Sequence, residues 1–162
     1  MIPELPGDPA EIAAAINANR DGWNAQNGLR FVSASAEEVV AELEVGDQHR
    51  QAYGIVHGGV YCGIIETLAS VGAALYAMPR GQSVVGLENH TSFVRAVRQG
   101  LLRVRAVPVT RGRRSQLWEG TVEDSDGRIA ATGRVRLLCL DPGVEIAGEK
   151  VGMKPSGEGS GA

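Results

Sequence analysis

The run GIVHGGVYCGIIETLAS, residues 54–70, carries a single carboxylate, Glu66, in an otherwise apolar segment, with His57, Gly58 and Gly59 at its entrance. A carboxylate partly withdrawn from water can act as a general base or as a nucleophile. Glycines lack β-carbons, so a ligand can approach their backbone closely, and at a helix start their N–H groups have no acceptor inside the helix. One well-aimed donor of this kind stabilises a developing oxyanion by about 3 kcal/mol. His57 either donates to the same oxygen or caps the turn, and the two glycines taken alone could be no more than a tight turn. Together, donors at a helix start and an acid about two and a half turns further on are the parts needed to attack a polarised carbonyl. The competing structural role for Glu66 is an ion pair with Arg103 or Arg105 that pins the helix, an inefficient device because burying both charges is only partly offset by their attraction.

These groups need a helix to position them. Residues 59–78 have the length and composition of one, and Met78-Pro79-Arg80-Gly81 ends it. At about 100° per residue, Gly59, Gly63, Ser70, Ala73 and Ala77 fall near Glu66, while Ile64, Leu68, Val71 and Leu75 lie away from it. The bulky side packs a core; the small side leaves room for a ligand or another backbone. A run of this length could also span a bilayer, but Glu66 near its middle would cost about 2.5 to 3.5 kcal/mol there. An enclosed core helix is therefore expected.

Strand patterns flank it. Val39, Ala41, Leu43 and Val45 alternate with polar residues as a half-buried strand does. Extended segments are expected at 84–89, 91–97, 101–110 and 115–124, with Ser92 or Phe93 as possible continuations of the first, and DSDGR turns the chain into a last strand over 128–140. Asp8, Pro9 and Glu11 start a short helix over 9–19, with Ile12, Ala15 and Ile16 on one face. The order predicts an α+β fold, an antiparallel sheet of five to six strands packed on one long central helix. Residues 1–28 form the N-terminal helix and lead-in, 29–140 one domain, and 141–162, rich in Gly, Ser and Lys, a disordered tail.

The totals narrow the function. The 162 residues carry a formal net charge of -3, which argues against nucleic-acid binding over a broad surface. Cys62 and Cys139 have no metal-ligand spacing, so free thiols and no metal site are expected. No cationic and apolar leader is visible near the start, and a cytoplasmic location is expected.

HGGVYCGIIETLAS resembles the helix motif of the hotdog-fold acyl-CoA thioesterases, in particular the phenylacetate-pathway and 4-hydroxybenzoyl-CoA branch; the likeness extends from Val39 to Leu140 and includes VVGLENHTSFVRAV and DGRIAATGRVRL. The resemblance implies a helix wrapped by a curved sheet, and two subunits joining their sheets with two active sites at the interface, such dimers pairing into tetramers. It implies hydrolysis of an acyl-CoA without cofactor or metal. Glu66 would be nucleophile or base, the Gly58 N–H would serve the thioester oxygen, Gln51 and His57 would orient the carbonyl, and Ser70 would lie near the attacking group. Gly59, Asn89 and His90 match substrate-side positions. Arg111, Arg113 and Arg114 lie in RGRR between two strands, either as a solvated hairpin or as a grip on the CoA phosphates, which forked guanidinium groups suit; hydroxybenzoyl-specific members carry small or hydroxyl residues there. The alternatives are a hotdog hydratase or dehydratase acting on acyl thioesters and a non-catalytic acyl-CoA binding module.

Overall fold

The computed structural model describes residues 7–20 and 22–151. Its strands are β1 Arg30–Ala34, β2 Val39–Glu44, β3 Ser83–Phe93, β4 Leu101–Arg111, β5 Ser115–Glu123 and β6 Ile129–Leu140. They form one antiparallel sheet in the order β1-β2-β4-β5-β6-β3. Helix α1, Pro9–Ala18, and helix α2, Gly22–Gln26, precede it, and helix α3, Gly58–Ala77, packs against every strand from β2 to β6.

Alternation decides which side of each strand meets α3. In β4, Leu102, Val104 and Ala106 are buried while Leu101, Arg103 and Arg105 point outward; in β5, Gln116, Trp118, Gly120 and Val122 are buried. Ile64, Ile65 and Leu68 of α3 join Trp118, Val135 and Leu137 in the core, each fully buried aliphatic side chain contributing about 1.5–3 kcal/mol. The helix can come this close because Gly72 has no side chain: a β-carbon there would meet the Trp118 ring at 2.3 Å. The segment Gly58–Arg80 is long and apolar enough to cross a membrane, yet half of its apolar window is buried within this fold.

The expected capping of α1 is present, with the Asp8 carboxylate accepting from the Ala10 N–H at 2.8 Å. Its buried face is Ile12 and Ala13 with Ile16 partly covered, and Ala15 is exposed. The Asn17 side chain both donates to and accepts from the Phe31 backbone, at 2.8 and 3.0 Å, and so occupies β1 from outside.

Three elements differ from expectation. The sheet begins at β1, ahead of Val39; a bulge between Phe31 and Ser33 breaks the alternation that would have marked it. Of the two readings of 91–97, the separate strand does not form: β3 continues from Ser83 to Phe93, as the alternative had it, and the Val94 and Arg95 N–H groups then turn onto the Ala130 carbonyl. The tail expected to lack order contains, within its described part, a small hairpin of β7, Glu145–Ile146, and β8, Glu149–Lys150. Residues 152–162 of that tail, and residues 1–6 of the lead-in, lie outside the described residues.

Candidate active site

His57 is the N-cap of α3: its Nδ1 accepts from the Gly59 N–H at 2.9 Å. Val60 N–H donates to the His57 carbonyl, and the Gly58 N–H has no partner among the described residues. The capping bond also assigns the ring. With Nδ1 accepting, the neutral imidazole carries its proton on Nε2, which is left to donate outward. The capping and donating roles of His57 therefore do not exclude each other.

The loop before the helix is held at several points. Val56 N–H donates to Val97 and His57 N–H to His49, and Gly54 turns the chain at a φ of 71°. His49 is buried, its Nδ1 accepting from the Gly46 N–H at 2.8 Å and its Nε2 lying 3.0 Å from the Asn27 carbonyl. These bonds place Gln51, His57, Gly58 and Gly59 on the wall of a cleft of about 490 Å³. Ile55, Tyr61, Phe93 and Val94 supply its apolar lining, and Arg95 lies at its rim. None of these five was singled out from the sequence; the signal lay in FVRAV, which leaves the sheet edge and doubles back beside the helix start.

Glu66 sits elsewhere. Eight residues of helix separate it from Gly58, a rise of about 12 Å, and it is not part of the cleft wall. Its side chain is half-buried, and no cation pairs with it among the described residues. Arg103 pairs with Glu42, and Arg105 with Glu38, which removes the expected structural alternative. The Glu66 partner is neutral: Asn89 Nδ2 donates to Glu66 Oε2 at 2.9 Å and also to the Cys62 carbonyl at 3.1 Å. Ser70 is one turn further along the same side of α3.

The small-residue strip around Glu66 is less open than its composition suggested. The Trp23 ring of α2 lies where a β-carbon on Gly63 would stand, at 2.4 Å, and Ala73 and Ala77 are buried in the core. His90 is separated from Glu66 altogether. It follows Asn89 on β3 and therefore points to the opposite face of the sheet, into a polar cleft of about 340 Å³ with Glu119 and Arg134.

The three arginines divide. Arg111 is engaged with the Ala36 carbonyl, Glu37 and the Tyr76 ring. Arg113 and Arg114 are exposed on the β4–β5 hairpin, whose backbone is fixed by the Gln82 side chain donating to the Arg113 carbonyl and by the Cys139 N–H donating to that of Arg114. Both thiols are free.

One long helix lying on a six-stranded antiparallel sheet, with backbone donors at its start, defines a hotdog-fold protein. The Thioesterase superfamily model matches residues 53–131. The chain is similar to Rv1847 of Mycobacterium tuberculosis, 38% identical over 138 residues that cover 84% of this chain and 95% of that one. The solved structure of Rv1847 gives a TM-score of 0.72 at 41% identity, over 74% of this chain and 96% of that chain. The proofreading thioesterase EntH of Cronobacter sakazakii is 34% identical over 127 residues, 78% of this chain and 92% of EntH. The crystal structure of S. sahachiroi AziG matches with a TM-score of 0.72 and 35% identity, over 75% of this chain and 98% of AziG. The chain belongs to the thioesterase superfamily.

Proposed function

We propose that this protein is a cytoplasmic acyl-CoA thioesterase of the hydroxybenzoyl and phenylacetate type, acting through a site that two copies of the chain complete together. Family membership and the thioesterase name of EntH support thioester hydrolysis in general. The observation that carries the finer reading is on α3: among the described residues, a Gly58 N–H without a partner at its start, and along it a carboxylate that no cation neutralises.

In this reading the thioester oxygen rests on the Gly58 N–H, with His57 Nε2–H and the Gln51 amide beside it. The carbonyl is polarised and the acyl group lies on Ile55, Tyr61 and Phe93. Glu66 then takes a proton from water as the water oxygen adds to the acyl carbon, or itself adds to give an anhydride that water cleaves. Either way the C–S bond breaks, and the products are the free acid and CoA with its thiol protonated.

The gap of about 12 Å along the helix argues that cleft and carboxylate come from different copies. β3 is an open edge on which Leu87 and Phe93 are exposed, with exposed Val94 just beyond its end. A second copy pairing antiparallel through its own β3, centred near Asn89 and His90, would set the Phe93 end and its cleft against the partner's Gly86 end, where the partner's Glu66 lies. Two such dimers forming a tetramer extend the same proposal. The C-terminal end of α3 is about 16 Å from Glu66 and about 28 Å from Gly58 along the axis, and Gln82, five residues beyond that end, donates to the Arg113 carbonyl. The copy that supplies the carboxylate is thus the one placed to hold the CoA phosphates.

The test is thiol release from a panel of aromatic, short-chain and long-chain acyl-CoAs. We expect turnover of at least one class, and a fall of about 100-fold or more in Glu66→Gln with the fold retained. Water addition across a double bond would point to the hydratase, and binding without turnover to a carrier module. Near-normal turnover by Glu66→Gln would remove that residue from the mechanism.

A further inference from the structure

We infer that Gly86, Asn89 and Thr91 of β3 form a cradle that fixes the Glu66 carboxylate in one orientation, with Thr91 determining which way the Asn89 amide faces. The inference rests on the reading of Glu66 as the acting carboxylate and assigns it three positioning residues.

Thr91 Oγ1 donates to Asn89 Oδ1 at 2.7 Å. With its oxygen occupied, the amide presents its NH₂ to α3, and the two protons there meet two acceptors, Glu66 Oε2 at 2.9 Å and the Cys62 carbonyl at 3.1 Å. A reversed amide would set its oxygen against a carboxylate and a carbonyl, three acceptors with no donor among them. Thr91 is held in turn by its surroundings, since a β-carbon on Gly133 would stand 2.6 Å from its hydroxyl.

The other carboxylate oxygen is located by an absence. A β-carbon on Gly86 would lie 2.3 Å from Glu66 Oε1, so that oxygen occupies the space a side chain would fill. In a regular strand Gly86 and Asn89, three apart, would point to opposite faces. They share a face because the register shifts between Gly86 and Glu88: Gly86 pairs with Leu137, Asn89 with Val135 and Thr91 with Gly133, all three partners facing the helix. The extra residue at the bulge, Leu87, thus brings the gap and the amide to the same carboxylate. Oε2 is held while Oε1 has no hydrogen-bond donor among the described residues, the arrangement a base or nucleophile requires.

The test is steady-state kinetics of the full chain on its best acyl-CoA, with thermal melting to confirm folding. Thr91→Val is nearly isosteric and loses only the hydroxyl; misplacing a reacting group by about 1 Å costs up to about 100-fold, and we expect about a tenfold fall in kcat with KM within about twofold. Thr91→Ser keeps the hydroxyl and should recover most of that loss. Gly86→Ala, which displaces Oε1 directly, should lower kcat further at unchanged KM. A wild-type kcat in Thr91→Val, no recovery in Thr91→Ser, or an effect confined to KM would each overturn the inference. If Glu66→Gln is inactive while Thr91→Val is not, the cradle alone fails; if Glu66→Gln stays active, the reading of Glu66 fails with it.

Discussion

Tyr61 shows how much a single atom can be read for. Its side chain is 2% exposed, its ring lies 6.1 Å from that of Phe93, and among the described residues its hydroxyl is the buried side-chain polar atom without a partner. An orphaned buried donor costs about 1–3 kcal/mol. Tyr61→Phe should therefore raise the urea midpoint at neutral pH without changing the slope of the transition. Burial first, and then the negative charge of Asp124, raise the phenol above its usual pKa. The folded state resists ionising it, so stability is undiminished by this group below pH about 10 and is eroded as pH rises beyond that, through the raised value. The variant should lose that alkaline erosion. Tyr61 reads in the sequence as one more apolar helix residue, because an orphaned hydroxyl is a property of neighbours. Glu66, His57 and Gly58 could be read from type and helical spacing alone. Their partners could not: Gly86 and Asn89 reach Glu66 only through a shift of one residue in strand register, which no periodicity announces. Which of Asn89 and His90 faces the helix was open for the same reason, since it depends on that shift.

Among the elements, α3 was legible to within a residue at each end, because its stop signals and apolar length are local. β3 was legible only in part: its continuation from Val84 to Phe93 was one of two readings, and its bulge was unreadable because its central residues are exposed and its phase changes there. The β5–β6 hairpin was legible from DSDGR, and the structure shows what makes that turn specific. The Asp124 carboxylate accepts from the Asp126 and Arg128 N–H groups and from the Arg128 guanidinium, each at 3.0 Å, and Gly127 takes a φ of 74°. Burial alone would raise the Asp124 pKa, but the hydrogen bonds and charge of Arg128, with the Asp126 N–H, outweigh it and hold the carboxyl below its ordinary 3.8. A depressed carboxyl contributes stability above its unfolded pKa and loses it as pH falls through the folded one. Urea melts between pH 7 and pH 2 should therefore show a decline at the acid end that is shallower in Asp124→Asn, with the variant less stable at neutral pH. Equal acid slopes would contradict this account.

At the scale of the whole molecule, a divided site makes a prediction that no single chain can meet. Gln51→Ala spoils the cleft and Glu66→Gln spoils the carboxylate, so each variant alone should be nearly inactive. When the two are co-expressed or refolded together, half of the dimers are mixed and each mixed dimer has one intact site, which gives roughly a quarter of wild-type turnover under random two-fold pairing. Absence of recovery would place cleft and carboxylate in one chain. The Asn17 clamp on Phe31 bears on the same assembly. With the β1 rim occupied at Phe31 by that amide and the β3 rim open, association of two copies through β3, as proposed, would use up the open rim on both partners. In the proposed pairing, growth would halt at a closed pair, leaving no free sheet edge from which a fibril could lengthen.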